Sequence, residues 1–131
     1  MRIVAPRACP GQAPVSSGAQ AEALAAEFLA RRGLRVAARN VRYREGELDL
    51  VCEHNGTLVF VEVRQRSRRD FGGALASVVR AKQQRLIRAA QHYLSHSPRH
   101  QADRPCRFDV VAIDGTPTIE WIRDAFQADP R

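Results

Sequence analysis

The stretch Gly46-Glu47-Leu48-Asp49-Leu50-Val51, followed across His54-Asn55-Gly56-Thr57 by Leu58-Val59-Phe60-Val61-Glu62-Val63-Arg64, sets the frame for the rest of the chain. Two β-type runs flank an Asn-Gly dipeptide, the strongest short-range signal for a two-residue type I′ hairpin. With Asn55 and Gly56 as the turn, His54 pairs with Thr57. Counting back along both strands then places Asp49 opposite Glu62. Directly opposed side chains lie roughly 4.5–5.5 Å apart at Cβ, and like charges there repel.

A positive group between the two carboxylates removes that conflict. Mg²⁺ or Mn²⁺ suits the position, because a hard divalent cation binds through one or two carboxylates and keeps water and substrate phosphate in its shell. In the same register Glu47 faces Arg64, so one face of the hairpin is a charged cluster. Two carboxylates on adjacent strands, with a cation two residues after the second, suit phosphodiester hydrolysis.

Working outward, 131 residues with 44% hydrophobic content make one domain able to bury a core. A formal charge of +7 and a pI near 10.6 predict an acidic partner, with nucleic acid the leading candidate. Of the 21 basic residues only Lys82 is lysine. No run approaches the ~18 apolar residues of a membrane span. Cys9, Cys52 and Cys106 are odd in number and form no CxxC pair, which favours a reducing cytoplasm over a disulfide framework or a cysteine metal site. Residues 1–17, with Pro6, Pro10, Gly11 and Pro14, read as a disordered tail rather than a targeting signal, and residues 127–131 as a frayed end.

Between these ends the pattern predicts an α/β domain over residues 18–126: a mixed sheet flanked by helices, in the order α-β-β-β-α-β-β. The first helix runs from Gly18 to Arg32, capped by Ser16 or Ser17 and stopped by Gly33, with Ala21, Ala25, Phe28 and Leu29 on one face. Glu22 at the edge of that face is either a solvated glutamate near the helix start or a third acidic group leaning toward Asp49 and Glu62. Strands follow over 34–43, 47–53 and 58–66. After a basic loop over 67–76 comes a helix from Ser77 to Ser95, with Val78, Val79, Leu86, Ala89 and Tyr93 on its apolar stripe. Lys82 falls inside this stripe, where a lysine either snorkels to water or pairs with a carboxylate. Strands over 106–114 and 118–123 complete the domain, with Asp109 expected to hold a neighbouring arginine rather than a metal. His92, His96 and His100 recur at ligand spacing, but Pro98 interrupts the helix, and they read as surface histidines. No Walker-type phosphate loop is present.

Asp49 followed by Glu62-Val63-Arg64 resembles the core of the PD-(D/E)xK nuclease superfamily. The fuller string adds Gly18 with Glu22, Arg39-Asn40, Lys82, Arg107-Phe108-Asp109-Val110-Val111 and Trp121-Ile122-Arg123-Asp124-Ala125-Phe126. That string resembles the bacterial YraN family, which is grouped with restriction-endonuclease-like and Holliday-junction-resolvase-like folds. The resemblance implies a restriction-endonuclease-like mixed sheet, with Asp49 and Glu62 as metal ligands, Glu22 as a third acidic group and Arg64 at the superfamily's lysine position. An arginine there stabilises a pentacovalent phosphate but stays protonated, so it cannot act as a base for water. Lys82 is then the candidate to supply the missing lysine's charge.

The expected function is therefore nucleic-acid binding, with metal-dependent endonuclease action on structured or branched DNA. Asp49, Glu62, Arg64 and Lys82 form the catalytic set, and Arg66, Arg68, Arg69, Arg80 and Arg85 hold the flanking backbone. The alternatives are a non-catalytic nucleic-acid binder that retains the fold, or a protein-docking adaptor.

Overall fold

The computed structural model describes residues 2–6, 18–65, 78–98, 103–113 and 118–128. In chain order the elements are β1 (Arg2–Pro6), α1 (Gly18–Arg31), β2 (Arg35–Arg42), β3 (Glu47–His54), β4 (Thr57–Gln65), α2 (Arg80–Ser95), β5 (Cys106–Ile113) and β6 (Thr118–Phe126). The six strands form one sheet in the order β1-β6-β5-β4-β3-β2. Only β4 and β5 run parallel, joined through α2, and every other pairing is antiparallel. This is the expected α/β mixed sheet with its α-β-β-β-α-β-β order, plus one strand at the N-terminal edge.

That edge strand corrects the expectation of a disordered tail. Ile3 pairs with Trp121 and Val4 with Glu120 on β6, so this segment's backbone is satisfied by a sheet edge more than a hundred residues away. Pro6, which has no N–H to give, closes the strand. The rest of the expected tail lies outside the described residues.

The local signals explain most of the remaining elements. Asn55 and Gly56 adopt φ of 51° and 85°, as a type I′ turn requires, and His54 pairs with Thr57 as expected. The helix α1 ends in a Schellman motif. Gly33 sits at φ 92°, its N–H reaches the Ala30 carbonyl, and the Leu34 N–H reaches that of Leu29. Leu29 and Leu34 are both buried, so the cap also closes the core.

A helix covers each face of the sheet. Under α1 lie Ala21, Ala25, Phe28 and Leu29 against Leu50, Cys52, Val59, Val61, Val111 and Trp121. Under α2 lie Leu86, Ala89 and Ala90 against Val51, Leu58, Phe60, Val110 and Ala112. The alternation along β4 and β5, buried on both sides, is what a central parallel pair demands. Two expectations for α2 change. It begins at Arg80 rather than Ser77, and Val79 is the extended residue before it (φ −68°, ψ 163°), 60% exposed instead of sharing the apolar stripe. A helical wheel assigns faces only to helical residues.

The turn between β2 and β3 is clamped to α2. A methyl group at Gly46 would come within 2.7 Å of the Arg85 carbonyl oxygen, so only glycine permits this approach. Next to it the Tyr43 ring stacks on His92 at 4.3 Å, and the Glu45 carboxylate meets His92 Nδ1 at 2.9 Å. This places the start of β3, with Asp49, under the helix that carries Lys82.

Candidate metal and phosphate site

Asp49 and Glu62 come together at the point where β3 and β4 part. The β3/β4 register runs from His54–Thr57 to Leu50–Val61, and one further step brings Asp49 beside Glu62. Beyond Leu50 the ladder bond is taken over by a side chain, because the Val63 N–H donates to Asp49 Oδ2 at 2.9 Å. Both carboxylates are buried, at 6% and 5% exposure, inside a largely apolar sheet.

Burial and the adjacent Asp49 charge push the Glu62 carboxyl up to about 8, and a hydrogen bond shared with Asp49 acts in the same direction. Side by side and buried, the two carboxylates resist carrying two full charges at once. Lys82 and Arg64 pull the other way. Lys82 Nζ stands 3.7 Å from Glu62 Oε2, an ion-pair distance longer than a hydrogen bond. Lys82 thus takes the paired alternative of the two its sequence position allowed. Its side chain remains 28% exposed, facing both the carboxylate and solvent.

Glu22 approaches from the α1 side. Burial and the charge of Asp49 raise its carboxyl, while a hydrogen bond from the Asn40 side chain lowers it. Glu22 is thus within electrostatic reach of Asp49. Among the described residues, no three of His, Cys, Asp and Glu converge closely enough to enclose a metal. The donor set still fits a hard cation: two buried carboxylates on neighbouring strands oppose each other's charge, and such a cation binds through one or two carboxylates and completes its shell with water.

Of the cationic residues, Arg80 and Arg85 lie exposed on α2, while Arg66, Arg68 and Arg69 lie outside the described residues. Arg64 is a register partner of Ala112 on β5, and Ala112 of Glu120 on β6. Glu120 is buried and shares the α2 face of Ala112, where sequence reading had not singled it out. Across the sheet Arg42 pairs with Glu47, Nε to Oε2 3.5 Å. Charges of both signs therefore line the sheet beside the acidic pair.

A further buried carboxylate, Asp109, is a structural hub, as expected. Its oxygens accept Arg107 Nε at 3.1 Å, Trp121 Nε1 at 3.0 Å and the Asp124 N–H at 2.9 Å. His92 and His96 stack with rings 4.7 Å apart, and His92 is engaged by Glu45 rather than by a metal cluster. The Cys52 thiol, buried, is pushed up to about 12 and is inert. A shallow groove of about 670 Å³ between α1 and β2, lined by Ala23, Ala30, Leu34 and Arg39, includes none of the acidic pair.

A mixed α/β sheet with a carboxylate pair at the splay of two central strands defines the class. Comparison with known proteins defines the family: residues 21–113 match the model described as "Uncharacterised protein family UPF0102", and the chain belongs to that family. It is 56% identical over 112 residues to a UPF0102 protein of Dechloromonas aromatica, covering 86% of this chain and 89% of that one. A UPF0102 protein of Nitrosomonas europaea is 51% identical, covering 85% and 93%. Another, of Ralstonia nicotianae, is 54% identical over 127 residues, covering 89% and 95%. This is the family that the sequence resemblance indicated. No described helix is long and apolar enough to cross a membrane.

Proposed function

We propose that this domain binds nucleic acid and hydrolyses the phosphodiester backbone of structured or branched DNA at a Mg²⁺ or Mn²⁺ site formed by Asp49 and Glu62. One observation supports the reading above the others. Two buried carboxylates lie side by side where β3 and β4 separate, each opposing the other's charge. A fold gains no stability from such a pair, whereas a divalent cation supplies the positive charge that offsets it.

When bound, the cation would polarise a phosphoryl oxygen and lower the pKa of its water. Asp49, already anchored by the Val63 N–H, holds one carboxylate in place. Glu62 gives up its proton to bind. Lys82, partly exposed beside Glu62, presents an ammonium to the scissile phosphate, and Arg64, two residues after Glu62 on β4, adds a fixed positive charge. Arg80 and Arg85, exposed on α2, with Arg66, Arg68 and Arg69, steady the flanking backbone through contacts that carry no sequence information.

The test is nicking of branched and single-stranded DNA with Mn²⁺, comparing the wild type with Asp49→Asn and Glu62→Gln. Loss of cleavage by at least a hundredfold in both supports the assignment, and unchanged cleavage refutes it. The arginine in place of the superfamily lysine favours a second reading, a binder that does not cleave. It calls for salt-sensitive DNA binding that survives both substitutions and needs no metal.

A further inference from the structure

Among the breaks in the pleat of the sheet, one falls side by side on two neighbouring strands, β2 and β3. In a regular strand, residues three apart point to opposite faces. On β2, however, Ala38 and Val41 both pack in the α2 cluster. On β3, Leu48 and Val51 do the same, although Leu50 between them packs under α1. The register of β2 on β3 shifts earlier, between Val36 and Ala38, whereas the face change between Ala38 and Val41 spans Asn40, whose φ of 50° lies in the left-handed region. Arg39 pairs with Leu50 and Val41 with Leu48, so the residue of β3 beside Asn40 is Asp49.

A left-handed residue inside a strand is costly for most side chains, and such residues persist where the surroundings demand them. Here the consequence is visible in Asp49. Flanked by Leu48 under α2 and Leu50 under α1, its carboxylate turns into the gap between β3 and β4, where it accepts the Val63 N–H. That orientation makes it reachable from both faces, by Glu62 on one and by Glu22 of α1 on the other. The Asn40 side chain, meanwhile, is close enough to Glu22 to act on its carboxyl as a hydrogen-bonding neighbour, drawing it down against burial and Asp49.

We infer that Asn40 is a positioning residue of the acidic site: its left-handed backbone turns Asp49 between the strands, and its side-chain amide holds Glu22 against the far side of Asp49. The inference rests on the cation site proposed above and adds Asn40 and the role of Glu22 to it. Asparagine meets both needs, since it tolerates this backbone conformation and carries a donor aimed at a carboxylate. Glycine would keep the backbone and lose the donor.

The experiment is Mn²⁺ binding to the full chain, followed by loss of the free-ion electron paramagnetic resonance signal, with thermal unfolding recorded in parallel. Asn40→Gly is expected to fold with an unchanged or higher Tm and to bind Mn²⁺ about tenfold more weakly, in the range of lost supporting hydrogen bonds around a metal. Glu22→Gln should weaken binding similarly. The double variant should be no weaker than either single one, because both changes remove one arrangement. Wild-type affinity in Asn40→Gly, or effects that multiply in the double variant, would overturn the inference. Asp49→Asn separates this outcome from failure of the site itself. If that variant binds as the wild type does, or the wild type holds no Mn²⁺, the site reading has failed and the role of Asn40 falls with it.

Discussion

Two groups of buried acids in this domain have opposite surroundings. Asp109, fully buried, is met by a guanidinium, an indole N–H and a backbone N–H. Asp49 and Glu62, almost as deeply buried, are met chiefly by each other, with one backbone N–H and a lysine at 3.7 Å. A satisfied buried carboxylate holds a fold together, and an under-satisfied pair is held by the fold for something else. Asp109 fastens β6 to β5, while the pair sits where two strands separate and solvent-facing cations begin.

The contrast is broken most severely at Asp109. Asp109→Ala should lose about 3–5 kcal/mol in urea unfolding, because it leaves Arg107 and Trp121 Nε1 without their buried partner. Trp121, the single tryptophan, reports the same event by fluorescence. Asp49→Asn, by contrast, should be neutral or stabilising, since it removes repulsion. Equal losses in the two variants would erase the distinction.

A second effect is expected where the site is fastened to α2. Gly46→Ala drives a methyl group into the Arg85 backbone and should cost about 1–3 kcal/mol of thermal stability, as overpacking does. An unchanged Tm would show that the β2–β3 turn is free to move away from the helix.

The pH dependence follows from Glu62. Its folded carboxyl is raised from 4.5 to about 8, so the folded chain binds this proton more tightly than the unfolded chain. The stabilisation is fully present below the unfolded value. It declines as pH rises through this window and is gone above about 8. Glu62→Gln should flatten that part of the stability profile, measured by denaturant titration from pH 5 to 9. The smallest effect is expected for Lys82→Met. Partly exposed and at long range, Lys82 should contribute at most about 1 kcal/mol to the stability of the metal-free protein, while its loss weakens DNA binding.

Much of this was legible in the sequence because the signals were local. Asn55-Gly56 determined the register of β3 and β4, and so the pairing of Asp49 with Glu62. The spacing of Lys82 among apolar residues of α2 placed it over that pair. Gly33 marked the end of α1. What escaped detection depends on distant partners. Arg2–Pro6 becomes a strand only because the edge of β6 is open to it, and Pro6 with the following Pro10, Gly11 and Pro14 spoke for a tail. Glu120 reads as an ordinary alternating polar residue until β5 places it in the row of Ala112 and Arg64. The left-handed turn at Asn40 leaves no trace in hydrophobic periodicity, although the residue type was the one signal available. Val79 misled because a wheel was drawn through residues that precede the helix.

The central claim is that the Asp49–Glu62 pair is built for a cation. Crystals soaked in Mn²⁺ above pH 8, where Glu62 has lost its proton, test it most directly through anomalous scattering. The account predicts a peak between the two carboxylates, bonded to an oxygen of each at about 2.0–2.3 Å. A featureless map there, with the two side chains still sharing a hydrogen bond, would contradict it.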